Sequence, residues 1–103
     1  MLVVTRHRVP ERESEEFERA AAAALAALAE RPGHRHGWAG PALDDPELWT
    51  VVSVWASIGA ARRALASVET RMALMPLMAS ALDEPSVFDV RVPAADGALP
   101  PAR

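Results

Sequence analysis

The sequence predicts an α+β domain whose elements run in the order β-α-β-β-α-β. Three observations predict it. Leu2–Val9 reads as a strand that Pro10 ends. An alanine-rich segment carries apolar residues at helical spacing and stops at Arg31-Pro32-Gly33. The run Leu48–Ala56 is β-branched and aromatic, and a second helical region and a last alternating segment follow it.

Leu2–Val9 reads as a strand, with Val3, Thr5, His7 and Val9 on one face and Leu2, Val4, Arg6 and Arg8 on the other. Pro10 ends it. A helix follows from about Glu11 to Glu30. Glu11, Glu13, Glu15 and Glu16 crowd its first turns, where the helix dipole favours anions. Phe17, Ala21, Ala24, Leu25 and Leu28 form its apolar stripe. His34–Leu43 is a weaker strand, loosened by Gly37, Gly40 and Pro41, and Asp44-Asp45-Pro46 marks a turn. Leu48–Ala56 is the strongest strand signal and is apolar on both faces, so it needs cover on both sides.

Ser57 caps a second helical region over about Ile58–Val68. The helix resumes around Met72–Leu82, with Pro76 interrupting it or starting a new turn. Glu84-Pro85 breaks the chain, and Ser86–Val92 is the last strand. Pro93–Arg103 is rich in proline and small residues and is expected to be a flexible tail, which leaves residues 1–92 as the domain.

This is the split βαβ, ferredoxin-like plan with a four-stranded antiparallel sheet. Right-handed crossovers place both helices on one face of that sheet. The other face is uncovered in a monomer, where Val52 and Val54, or else Val51 and Trp55, would meet water. Such a patch marks an interface, so a homodimer formed through sheet-to-sheet packing is expected.

Composition narrows the function classes. The chain has 103 residues, half of them hydrophobic and 24% charged, as a globular domain has. Its net charge is −3, which disfavours nucleic acid as a partner. Cysteine is absent, so disulfides, zinc ribbons, iron–sulfur clusters and thiol catalysis are excluded. The longest apolar run, within Ala20–Ala29, is far short of the roughly 20 residues that span a bilayer. The N-terminus runs straight into Arg6, His7 and Arg8 without the apolar h-region of a signal peptide, so none is expected and the cytoplasm is the expected compartment. All eleven basic residues are arginine, which with the alanine richness fits a GC-rich bacterial genome.

Few side chains can carry chemistry. Trp49, Ser53 and Trp55 share a strand face, where the tryptophans either fill core volume or present a flat wall to a planar ligand. His34 and His36 point to one side of a strand, with Trp38 next along. Two histidines do not make a metal site, and no metal is expected. His7 and His36 are the candidate proton acceptors, since histidine alone here titrates near neutrality. Met72, Met75 and Met78 recur at spacing three, as core packing or as a deformable cavity wall. Arg62 begins the second helix, on a solvated face or at the rim of the site. No phosphate loop, nucleophile elbow or paired-carboxylate motif is present.

The element order, the length and a strand ending in Trp before a helix resemble the antibiotic biosynthesis monooxygenase family. The matching stretches are Leu2–Val9, Arg31-Pro32-Gly33 and above all Val51-Val52-Ser53-Val54-Trp55-Ala56-Ser57. The runs Ala42–Trp49 and Asp83–Val90 also look like actinobacterial members. The resemblance implies a dimeric α+β barrel with a pocket between each sheet and its helices. It implies oxidation of a small aromatic or polyketide-like phenol or quinol by O₂ without a bound cofactor, the substrate supplying the electrons after its phenol loses a proton. It places Trp55, Trp38, Ser53, Arg62, Met72 and Met75 around a small aromatic ligand, with His7 or His36 as the base.

The match is partial. In the family's quinone-forming branch an Asn precedes the strand-end Trp by four residues and a Tyr follows it by six; Val51 and Ala61 stand there. In the haem-degrading branch a Trp follows nine residues later and a His ten further on; Ala64 and Leu74 stand there, so haem degradation is not implied. Two other readings of the same scaffold stay open. One is a non-catalytic dimeric small-molecule-binding or accessory protein, and the other is a cofactor-free isomerase or cyclase.

Overall fold

A computed structural model describes residues 1–94 of the chain. Strand β1 (Leu2–Arg8) leads through a 3₁₀ turn at Glu11–Glu13 into helix α1 (Ser14–Ala29). Strands β2 (His34–Ala42) and β3 (Asp45–Trp55) form a hairpin, followed by α2 (Ile58–Ala66), α3 (Val68–Met78) and the short β4 (Val87–Phe88). The sheet order is β2-β3-β1-β4, and every pairing is antiparallel. The fold is ferredoxin-like α+β, as the sequence predicts. Of the expected tail, residues 95 to 103 lie outside the described residues. Among those described, no helix is long and apolar enough to cross a membrane.

Three boundaries differ from expectation, each for a physical reason. The hairpin turn is only Leu43-Asp44, because Asp45 is already paired with Ala42. The second helical region breaks at Ser67, not at Pro76. Ser67 is extended (φ −67°, ψ 138°) and its hydroxyl accepts the Thr70 N–H at 3.3 Å, so it ends α2 and caps α3. Pro76 is accommodated inside the last turn of α3. The last strand is two residues long, not seven, because most of β1's outer edge is taken. Arg8 N–H donates to the Ser80 carbonyl at 3.0 Å and Leu82 N–H to Arg6 at 2.8 Å, so β4 reaches only Leu2 and Val3.

The helix-facing side of the sheet is read from β3, where Trp49, Val51, Ser53 and Trp55 are all buried. The α1 stripe closes on it as predicted, with Phe17, Ala21, Ala24 and Leu28 buried. One cluster gathers Val9, Phe17, Ala21, Ala24, Trp49, Val51 and Leu77; a second gathers Leu28, Trp55, Ala60, Ala61 and Ala64. The opposite face carries two rows read from the register. His36, Val54, Leu2 and Phe88 form one, and Trp38, Val52 and Val4 form the other.

Gly33 joins α1 to β2 at φ +89°, and its carbonyl accepts the Ala56 N–H at 2.8 Å. A Cβ there would collide with the Ala60 methyl of α2. Gly33→Ala is therefore expected to cost about 2–5 kcal/mol, combining the left-handed penalty with overpacking. Urea unfolding measures it, and an unchanged midpoint would contradict this packing.

Candidate functional site

His7 reaches the core from β1 and is 1% exposed. Its Nδ1 lies 3.2 Å from the Leu77 carbonyl and 3.2 Å from Ser80 Oγ. A carbonyl only accepts, so Nδ1 carries the proton. Nε2 is then the acceptor and takes the Thr5 hydroxyl at 2.8 Å. Burial holds the His7 pKa below its ordinary value, against the opposing pull of the Leu77 carbonyl. Nδ1 thus joins β1 to the end of α3, and Nε2 is held by Thr5 within β1 itself.

Trp55 is 2% exposed and packs among Leu28, Ala60, Ala61 and Ala64. Its indole N–H donates to Ser53 Oγ at 2.8 Å, and the His34 ring meets it edge-on at 5.1 Å. Trp55 and Ser53 thus satisfy each other inside packed core and do not line the expected pocket. Val51 and Ala61, at the positions of the family's Asn and Tyr, are buried apolar residues.

The expected pairing of His34 and His36 is undone by a bulge. His34 pairs with Trp55 and His36 with Val54, so Arg35 is the extra residue and the two rings go to opposite faces. His36 stacks on Trp38 on the open face of the sheet, with centroids 5.4 Å apart. His36 and Trp38 therefore lie across the sheet from His7 and Trp55. Arg62 is exposed. Met72 and Met75 are 66% and 67% exposed, because α3 turns Thr70, Leu74 and Leu77 inward instead. The expected methionine wall faces outward. Among the described residues no three metal-ligating side chains gather.

Among the described residues, two clefts flank α1. The first, of about 310 Å³, opens between α1 and the end of α3. Phe17 and Val9 give it an apolar wall, and Arg8, Glu13, Glu16 and Ser80 bring polar groups to it. Arg8 lines this cleft, and its guanidinium donates from Nη1 to Asp45 at 2.7 Å. Ser80 ties this cleft to His7. The second, of about 350 Å³, opens between α1 and the β2–β3 hairpin, with Trp49, Leu25 and Pro41 among its walls. Phe17 and Trp49 touch beneath α1, centroids 5.2 Å apart, and stand between the two clefts. Sequence reading missed this arrangement. Phe17 counted only as core, and nothing in the sequence singles out Ser80.

Comparison with known proteins agrees with this architecture. The family model for antibiotic biosynthesis monooxygenase matches residues 1–73. SnoaB, a cofactor-independent oxygenase from Streptomyces nogalater, is 27% identical with a TM-score of 0.79, covering 90% of this chain and 94% of that one. A conserved protein from Methanosarcina mazei is 19% identical with a TM-score of 0.69, covering 84% of each chain, and shares the fold. No curated protein sequence matches the chain.

The buried histidine sets a pH dependence. His7 has a depressed pKa in the fold, so the unfolded chain binds its proton first as pH falls below about 6.5. Stability therefore drops from there downward, by at most about 1.4 kcal/mol per pH unit for each such histidine. His34, held down by burial and by the charge of His36, adds in the same direction. Urea unfolding of the wild type and of His7→Gln between pH 5.5 and 7.5 checks this. The variant should show a shallower slope, and parallel slopes would contradict a neutral buried His7.

Proposed function

We propose that the chain, which belongs to the antibiotic biosynthesis monooxygenase family, is a cofactor-independent oxygenase acting on a small aromatic phenol or quinol. The observation that carries this reading is the likeness to SnoaB over 90% of the chain. The cleft between α1 and α3 is the substrate site in this reading. Phe17 stacks on the aromatic ring, and the Arg8 guanidinium stabilises the phenolate. Glu13 or Glu16 takes the phenol proton, and Ser80 orients the oxygen. The phenolate then reduces O₂. One oxygen atom enters the ring as a carbonyl and the other leaves as water, so phenol plus O₂ gives quinone plus water. All four electrons come from the substrate. The protein contributes desolvation, orientation and charge stabilisation.

The second reading, ligand binding without turnover, is favoured by Val51 and Ala61. The hydrogen-bonding groups of the quinone-forming branch are replaced there by buried apolar side chains. An oxygen electrode with 1-naphthol separates the readings. The oxygenase reading expects one O₂ consumed per quinone formed, and a fall in kcat of about 10²-fold in Arg8→Gln with a smaller change in KM. Saturable binding without O₂ uptake would leave the binding reading, and product formed without O₂ would indicate an isomerase or cyclase.

The open sheet face supports a homodimer. Trp38 and Phe88 are 52% and 45% exposed on the same face as Val4 and Val52. A second copy's sheet, presenting the same rows, covers them. Light scattering should give twice the chain mass of 11.0 kDa, and Val52→Arg should shift the particle to the monomer with its circular dichroism retained. A wild-type monomer at micromolar concentration would contradict this.

A further inference from the structure

The cleft between α1 and the β2–β3 hairpin has a feature that the reaction above does not use. Trp49 is 5% exposed, and its indole N–H is buried without a hydrogen-bond partner. Indole only donates, and buried donors are nearly always paired. Trp55 is the internal contrast, since its N–H is matched by Ser53 at 2.8 Å. The unmatched donor belongs to a residue that lines a cleft of about 350 Å³.

The local sequence explains the cleft. The helix-facing positions of β2 are Gly37, Ala39 and Pro41, opposite Ser53, Val51 and Trp49. None carries a bulky side chain. At Gly37 the helix closes fully, and a Cβ there would lie 3.0 Å from Leu25 Cδ2. One turn and more earlier, α1 presents the small Ala21 and Ala22, with Glu18 a further turn away, and with Ala39 and Pro41 across from them a gap remains. Phe17 supports the Trp49 ring at 5.2 Å, so the indole is a fixed wall.

We propose that this cleft is a second ligand site, which takes a small, flat, uncharged aryl ketone or quinone. The ligand's carbonyl oxygen accepts the Trp49 indole N–H. Leu25, Pro41 and the alanines contact its apolar body. Glu18 at the cleft disfavours anions and accepts from a ligand hydroxyl where one is present. The site is distinct from the α1–α3 cleft and does not depend on the oxygenase reading. A quinone leaving that cleft has the chemistry this one accepts.

The test is ¹⁵N-resolved NMR of the three indole N–H groups, titrated with 1,4-naphthoquinone and, separately, with naphthalene. The chain has no cysteine, so thiol addition to the quinone does not interfere. The Trp49 signal, assigned from its loss in Trp49→Phe, should shift downfield saturably with naphthoquinone, while the Trp55 signal stays in place. Naphthoquinone should bind at least ten-fold more tightly than naphthalene, and Trp49→Phe should erase that preference. Ala22→Leu, which fills the exposed side of the cleft without touching the core, should abolish binding of both probes here. A quinone that shifts Phe17 and Ser80 amides and leaves Trp49 unmoved would overturn the proposal, as would equal affinity of Trp49→Phe and wild type. Neither outcome bears on O₂ uptake, so the two readings fail separately.

Discussion

The Phe17 ring rests on the Trp49 indole, and that contact fixes α1 over β3. On its other side Phe17 meets the His7 imidazole, 5.1 Å away. His7 in turn donates to the Leu77 carbonyl at the end of α3. One line of rings therefore joins β1, α1 and β3, and a single hydrogen bond extends it to α3. Removing the Phe17 ring would open a core cavity at the centre of this line, a change that costs about 3–5 kcal/mol in well-packed cores. The same line decides where ligands can go. It fills the middle of the helix–sheet space and leaves open ground on either side of α1.

Much of this fold was legible because each element carries a strong local signal. The α1 stripe and the extent of β1, which Pro10 ends, needed no tertiary information. Trp49, Val51, Ser53 and Trp55 were readable as one face from period two alone. What was not legible depends on partners distant in sequence. The shortness of β4 follows from Ser80 and Leu82 occupying β1's edge, which no periodicity encodes. The flip between His34 and His36 comes from one extra residue in β2, and strict alternation cannot show a bulge. The outward methionines follow from where Ser67 starts α3, which sets the phase of the whole helix.

The site was less legible than the fold, and the reason is chemical. A strand-end tryptophan with a polar neighbour describes both a pocket wall and a satisfied core residue. Ser53 decides between them, since its hydroxyl takes the Trp55 N–H and leaves it nothing to offer a ligand. Leu28, Ala60, Ala61 and Ala64, all apolar, then pack around the Trp55 ring. In the proposed reaction the substrate supplies the electrons, so the protein need only bind, desolvate and stabilise an anion. In the proposed reading those needs fall to Arg8 and Ser80, which line the same cleft as Phe17.

Hydrogen exchange at the Trp55 indole N–H tests most directly the claim that the strand-end tryptophan belongs to the core and not to a pocket. A sealed side chain bonded to Ser53 exchanges only when the domain unfolds, so its protection should match the free energy of global unfolding measured with urea. Ser53→Ala should lower that protection by removing the acceptor. Exchange of the wild-type indole on the timescale of an exposed tryptophan would mean that water reaches Trp55 in the native state, and would return the ligand pocket to the end of β3.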